Sequence, residues 1–348
     1  MPSRTIGLDI GTSGVRAAEL SFSKDGVRLE RLGQVDLPDG AVWGGAVLDP
    51  AQVTAAVREL WRAQRFHSRK VVLGVANQRV IVREIELPAM PVGDIPAALP
   101  FQVRDLLPMP VEEAVLDFHP LENAVTPTGA PVIRGLLVAA SREMVLAAVA
   151  CVEAAGLKVT SVDLTSFAVL RSLGGRLDVD VDTEAVVDIG ARTTNIVVHS
   201  GGVPRFVRIV LQGGQDVTDA VSEQLGIPLP EAELLKQAGG SADDGPEGVR
   251  TRRAIEGAAQ PLVEEIRSTL DAYGASHPYH PMQRVLLSGG GSLLEGMRER
   301  LAQATRLPVQ AGDPLASVGA GGPGRAVDPT GDVASVAVPV GLALGGAR

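Results

Sequence analysis

The chain has 348 residues, 45% hydrophobic and 21% charged, which suits about two packed domains and excludes disordered and fibrous classes. Two Trp, two Tyr and six Phe leave the cores to aliphatic side chains, and the net charge of −9 argues against broad nucleic-acid binding. The single Cys151 excludes a disulfide framework and any Cys-based metal site, and it fits a reducing, cytoplasmic setting.

The opening MPSRTIGLDIG lacks the apolar stretch of a signal peptide. Thr5–Ile10 and Val15–Leu20 alternate in hydrophobicity around the turn GTSG, and a third strand, Val27–Leu37, follows the turn at Lys24-Asp25-Gly26. Asp49 and Pro50 open a helix whose apolar positions are Val53, Ala56, Val57, Leu60 and Trp61. Strands are expected at Val71–Ala76 and Val80–Leu87. Residues 88–157 then read as an α+β insertion: a proline-rich stretch, strands near 114–121 and 132–138, and a helix over 142–155 stopped by Gly156. Val159–Leu164 is a strand and 166–173 a short helix.

From Glu184 the opening pattern returns. Strands Ala185–Ile189, Ile196–His199 and Pro204–Leu211 precede helices near 214–225, 230–238 and 247–275. Arg284–Ser288 is a short buried strand running into three glycines, with a helix expected over 292–304. The stretches 239–248 and 311–332 read as loops. Val333–Ala347 is uncharged but too short to span a bilayer and contains Pro339, so it is expected to be a buried closing segment.

Asp9-Ile10-Gly11 and Asp188-Ile189-Gly190 each close a strand and open a hairpin with a hydroxyl-rich turn, the trace of two similar halves. In such a turn glycine lets backbone N–H groups approach an anion. Thr12, Ser13, Thr193 and Thr194 add donors, and Asp9 and Asp188 supply carboxylates where Mg²⁺ bridges to phosphate. Ser288-Gly289-Gly290-Gly291-Ser292 offers a third anion-tolerant corner. Each motif alone also fits an ordinary turn; the matched pair plus the third corner argues for a nucleotide site.

Competing motifs are missing. Lys24, Lys70, Lys158 and Lys236 follow Ser, Arg, Leu and Leu, so there is no P-loop. Leu294 stands where a dinucleotide fingerprint needs its third glycine, and Leu286 where a nucleophile elbow needs its first. His277 and His280 have no completing metal ligand, and Cys151 reads as a small buried hydrophobe. Glu112, Glu113, Asp243 and Asp244 read as solvated loop charges. Glu233 and Lys236, three apart on one helix, fit either a surface ion pair or a ligand contact.

The segments IGLDIGTSGVRAAEL, VVDIGARTTNIVV and VLLSGGGSLLEGM, in this order, resemble the phosphate-1, phosphate-2 and adenosine motifs of the actin-like ATPase superfamily. The inserted REIELPAMPVGDIPAALPFQVRDLLPMPVEEAVLDFHPL, with the following AGLKVTSVD, is similar to the 1C-type subdomain of the PilM family of type IV pilus assembly proteins. The resemblance implies an α/β, duplicated ribonuclease H-like, two-domain fold. A first domain would take residues 1–87 and 158–183, with 335–348 packing back onto it. The insertion would be 88–157 and the second domain 184–334. It also implies ATP and Mg²⁺ in the cleft, with Asp9 and Asp188 on the metal side. Gly11, Thr12, Ser13, Arg16, Gly190, Thr193 and Thr194 would face phosphates, and Glu233, Lys236, Gly289, Gly290 and Gly291 the nucleoside.

The same resemblance implies a cytoplasmic scaffold at the inner face of the membrane. Its groove, between insertion and first domain, would hold the N-terminal tail of a PilN-like membrane protein, with PilO and pilus motor ATPases as further partners. Two features depart from the family pattern. Thr165 stands where hydrolytic relatives place a water-orienting Glu or Gln, leaving only Asp163 nearby, so at most slow hydrolysis is expected. Pro96 and Pro100 fall in a stretch the family keeps helical, and a helix there is expected to begin or kink at Pro100. An FtsA-like filament former and a small-molecule kinase of the same superfamily are the alternative readings. The tail LALGGAR has too few basic residues for an amphipathic membrane anchor.

Overall fold

The computed structural model describes residues 3–77, 79–174, 181–239, 245–320 and 333–346; Asp243 and Asp244 lie outside them. The chain starts with the meander β1 (Ser3–Ile10), β2 (Gly14–Ser23) and β3 (Gly26–Asp36), followed by a two-stranded ribbon, β4 (Val42–Trp43) and β5 (Ala46–Val47). Helix α1 (Pro50–Gln64) begins where its cap dictates: the Asp49 carboxylate accepts the Ala51 and Gln52 N–H groups at 3.0 and 3.1 Å. Its stripe of Val53, Ala56, Val57 and Leu60 is buried against the meander, and β6 (Lys70–Val75) then joins β1 in parallel.

The insertion forms its own sheet. β7 (Ile81–Pro88), β8 (Ala114–Val125) and β9 (Pro131–Ser141) pair in the order β7-β9-β8, with α2 (Ile95–Gln102) packed on β8. β7 was expected to belong with the first domain but hydrogen-bonds in this small sheet instead. Conversely α3 (Arg142–Ala154) sends Ala148, Cys151 and Val152 into the core of the first unit, because its apolar stripe faces α1. Helix α2 runs through Pro100 rather than starting or breaking there. The helix is only eight residues long, Pro96 sits in its first turn, and buried Ile95 and Leu99 anchor it, so one missing backbone bond is tolerated. The chain returns through β10 (Lys158–Leu164), parallel to β6, into α4 (Thr165–Leu173).

The second unit comprises β11 (Thr183–Ile189), β12 (Thr194–Ser200), β13 (Val203–Val210), α5 (Gly214–Leu225), α6 (Leu229–Gln237), α7 (Pro246–Ser276), β14 (Arg284–Ser288), α8 (Met297–Thr305) and β15 (Val309–Ala311). After β16 (Gly319–Ala320), which extends the first sheet beside β3, the described chain ends in α9 (Ala337–Gly345). The sheets have matching topology. The first runs β10-β6-β1-β2-β3-β16 and the second β13-β12-β11-β14-β15. In each, two antiparallel pairings of the meander continue into two parallel ones. The two-half reading thus extends from two short motifs to whole sheets.

One layer joins the halves. α4 and α9 bury Ala168, Val169, Leu170, Ala337, Val338 and Leu342 together with Val72 of the first sheet and Val186, Val197 and Leu286 of the second. The closing apolar segment is therefore core. No helix among the described residues is long and apolar enough to cross a membrane. α9 lies so close to its neighbours that a Cβ on Gly341 would stand 1.8 Å from the Ala168 carbonyl oxygen. Gly341→Ala is expected to lower stability by about 1–3 kcal/mol in urea denaturation through forced overpacking. An unchanged midpoint would contradict this α4–α9 contact.

Candidate functional site

The end of β1 and the end of β11 carry the same construction. Gly11 N–H donates to the Gly14 carbonyl at 3.0 Å, and Gly190 N–H to the Thr193 carbonyl at 2.9 Å. Asp9 pairs across the ladder with Arg16, and Asp188 with Asn195. The third corner is bound to the second hairpin: Gly289 has φ +83°, and a Cβ there would lie 2.3 Å from the Ile189 carbonyl oxygen. All three turns open on one cavity of about 740 Å³ between the two units.

Asp9, Gly11, Thr12, Ser13 and Arg16 line it from the first unit. Asp188, Gly190, Thr193, Glu233, Lys236, Gly289, Gly290 and Gly291 line it from the second. Thr194 is the exception among the expected residues: it is fully buried and its hydroxyl donates to the Gln212 carbonyl at 2.7 Å. Thr194 is the first residue of β12, and alternation turns it to the opposite face from its neighbours Thr193 and Asn195, which line the cavity. The glycine corner also differs from expectation. Gly290–Leu293 form one 3₁₀ turn, and α8 starts only at Met297 because Gly296, at φ +73°, breaks the helical path. The helix N-terminus beside the cavity is instead that of α5, where Gly214 and Gln215 donate to the Gly190 and Ala191 carbonyls at 2.9 and 2.7 Å.

Glu233 and Lys236 are more than a surface pair. Lys236 Nζ reaches Glu233 Oε2 at 2.7 Å, the Thr218 hydroxyl at 2.8 Å and the Gly214 carbonyl at 2.9 Å. Against the effect of its burial, hydrogen bonds from Lys236 and Thr218 hold the Glu233 carboxyl below its usual range. This network pins α6 to the start of α5 at the cavity wall.

Sequence reading missed Asn195, a neutral residue with no motif of its own. Its amide nitrogen donates to Asp188 Oδ2 at 3.4 Å, and its oxygen accepts the Thr165 and Ser166 hydroxyls at 3.0 and 2.8 Å. The available signal was its seven-residue spacing from Asp188, which repeats that of Arg16 from Asp9. Thr165 does line the cavity, whereas Asp163 is ion-paired with Arg171, whose Nε donates to the Gly341 carbonyl at 3.0 Å. His277 stacks on Tyr273, its Nδ1 3.1 Å from the Tyr273 carbonyl oxygen.

Burial pushes the Asp9 carboxyl up to about 6 against the pull of Arg16. Burial also pushes Asp188 up to about 7, with Asp9 adding repulsion and Asn195 and Arg16 opposing. Two hard oxygen donors in one cavity suit a divalent cation completed by waters and anionic oxygens, which the glycine-lined turns leave room to approach.

A family model described as "Type IV pilus assembly protein PilM" matches residues 7–347. The chain belongs to the PilM family. The solved structure titled "PilM-PilN type IV pilus biogenesis complex" matches with a TM-score of 0.86 and 28% identity over 99% of this chain and 98% of that one. Cell division protein FtsA of Bacillus subtilis (strain 168) is 23% identical over 260 residues, 68% of this chain; the match spans 58% of FtsA. MreB 5 of Spiroplasma citri bound to AMPPNP shares the fold at TM-score 0.53 and 12% identity, over 97% of this chain and 94% of that one. The fold of this PilM family member is thus actin-like.

Unfolded, both carboxyls titrate near 3.8; folded, near 6 and 7. Between those values the folded form holds more protons, so these two groups cost stability progressively as pH rises from 4 to 7. Asp188→Asn is expected to stabilise the EDTA-treated protein by on the order of 3 kcal/mol at pH 8. The gain should vanish near pH 4, read as a difference in urea denaturation. A gain that is the same at both pH values would refute the assignment to this carboxyl.

Proposed function

We propose that this PilM-family protein is an ATP- and Mg²⁺-binding scaffold of type IV pilus assembly that holds the N-terminal tail of a PilN-like inner-membrane protein. It would work on the cytoplasmic face of the membrane, tethered through that partner. The observation that carries the nucleotide reading is the convergence of two equivalent acidic hairpins and a glycine corner on one cavity. In this reading Asp9 and Asp188 hold Mg²⁺, largely through waters and phosphate oxygens. The turns at Gly11–Ser13 and Gly190–Thr193 offer N–H and hydroxyl donors to the phosphates, with Arg16 beside them. Arg16 is held in place by the Gln34 side chain at 2.9 Å and the Ser13 hydroxyl at 3.2 Å. Glu233, Lys236 and the glycine corner form the nucleoside side.

Hydrolysis has little support in this cavity. Thr165 and Ser166 both donate to Asn195, and Asp163 is engaged by Arg171. No carboxylate is left at that position to orient water, which favours a binding switch over a dedicated ATPase. Asp9→Ala and Asp188→Ala should each weaken Mg-ATP binding in calorimetry at least tenfold with the fold retained; unchanged affinity in both would count against the site. Phosphate release from the unsubstituted protein should be far below the usual ~10 s⁻¹ of dedicated enzymes.

For the partner, the structure offers a groove of about 660 Å³ at the root of the insertion. Arg79 and Ile81 line one side, Pro108, Met109, Glu112 and Glu113 another, and Arg142, Glu143 and Leu146 of α3 the third. Glu112 and Glu113 are exposed, as read from sequence, but as part of this wall. Arg142 fixes the wall by donating to the Glu112 and Ala114 carbonyls at 3.1 and 2.9 Å. Ile81, Pro108, Met109 and Leu146 among three glutamates and two arginines suit an extended peptide carrying aliphatic residues beside charges of both signs. Leu146→Asp, at a half-exposed position, should lower the affinity for the N-terminal peptide of the PilN-like protein at least tenfold without changing thermal stability. Retained binding would place the partner elsewhere.

A further inference from the structure

Segment 38–49 leaves the core of the first unit and reaches the second. Ala41 and Val42 are 1% exposed within the first core. Gly44 and Gly45 then adopt φ of 52° and 80°, and Gly45 lies so tightly on the chain after β6 that a Cβ would stand 1.5 Å from the Ala76 carbonyl oxygen. The Gly44 carbonyl accepts the Asn77 side-chain amide at 2.6 Å. This double bend leaves Trp43 52% exposed, with the Arg192 guanidinium carbon 4.6 Å from its ring centroid.

Arg192 belongs to the second hairpin turn, between cavity-lining Ala191 and Thr193. Its Nη1 lies 3.1 Å from Asp216 Oδ1 and 2.5 Å from Asp219 Oδ2, both on α5. Asp216 also accepts the Gly213 N–H at 2.8 Å. One guanidinium therefore joins an indole of the first unit, the phosphate-side turn and the start of α5. An indole that is half in water and seated on a cation from the opposite unit contributes little to either core. What it can report and bias is the spacing between them.

We propose that Trp43 on Arg192 is a latch that couples closure of the two units to the conformation of the turn at Gly190–Thr193, so that nucleotide occupancy and latch engagement rise together. The latch rests on the nucleotide reading above. An exposed cation–π contact shifts a two-state equilibrium about two- to fivefold, enough to bias closure without locking it. Coupling requires that this contact, which spans the two units, be lost when they part.

Trp43 and Trp61 are the two tryptophans. Trp61 is half-buried and donates to the Ser68 carbonyl at 3.0 Å, so Trp61→Phe leaves Trp43 as sole indole reporter at the cost of one hydrogen bond. In that background, acrylamide quenching of Trp43 should rise about twofold with Arg192→Ala. Mg-ATP should lower quenching with Arg192 present and leave it unchanged with Ala. Separately, Trp43→Ala should weaken Mg-ATP binding about two- to fivefold in calorimetry at unchanged melting temperature, and Trp43→Phe should restore most of the loss. No Mg-ATP binding in the Trp61→Phe protein would sink the nucleotide reading and the coupling with it. Mg-ATP binding with quenching unaffected by ligand or by Arg192→Ala, or with undiminished affinity in Trp43→Ala, would overturn the latch alone.

Discussion

Two carboxylates face one cavity, and much of the structure is an answer to that. Each sheet delivers an aspartate at the end of its first strand, and the sheets share one strand order. Once α4 and α9 bind the halves together, Asp9 and Asp188 share a buried space. Burial raises both carboxyls and Asp9 repels Asp188 as well, and the protein offsets this only in part, with Arg16 acting on both and the Asn195 amide on Asp188. A proton on either carboxyl relieves that cost, which is why both titrate well above the usual carboxylate range.

The layer that creates this problem also distributes its consequences. Thr165 and Ser166 open α4, and both donate to the Asn195 side chain that holds Asp188, so the cavity is hydrogen-bonded to the layer joining the sheets. On the other flank, α3 runs from the groove at the root of the insertion into the core of the first unit. A change in how the halves sit therefore has α4 along which to act: it gives the cavity and the layer joining the sheets a common packed partner.

What was legible in the sequence was what has a period or a special residue. Alternation marked the meanders, the Asp49-Pro50 pair marked the start of α1, and the repeated Asp-Ile-Gly marked the duplication. Residues whose importance comes from a neighbour were not legible. Asn195 matters because Asp188, Thr165 and Ser166 meet on it. The late start of α8 was misread because Leu293, Leu294, Met297 and Leu301 fit a helical stripe. Gly296 in the left-handed region outweighs that pattern. Pro100 failed in the opposite direction: a local rule against proline yields where a short helix is held by two buried side chains.

The departure from symmetry between the two hairpins is as informative as the symmetry. Seven residues after its aspartate, the first hairpin carries Arg16 and the second Asn195. An arginine at both positions would set a guanidinium across the ladder from each carboxyl and hold both down. With asparagine in the second, Asp9 faces Arg16 across its own ladder, while Asp188 faces an amide there and feels Arg16 only from the opposite hairpin. The carboxyl facing the amide is accordingly the one pushed to about 7, the other to about 6. Near neutral pH Asp188 is thus the carboxyl of the two that more readily keeps its proton, and the second hairpin the one whose charge responds to what lies beside it.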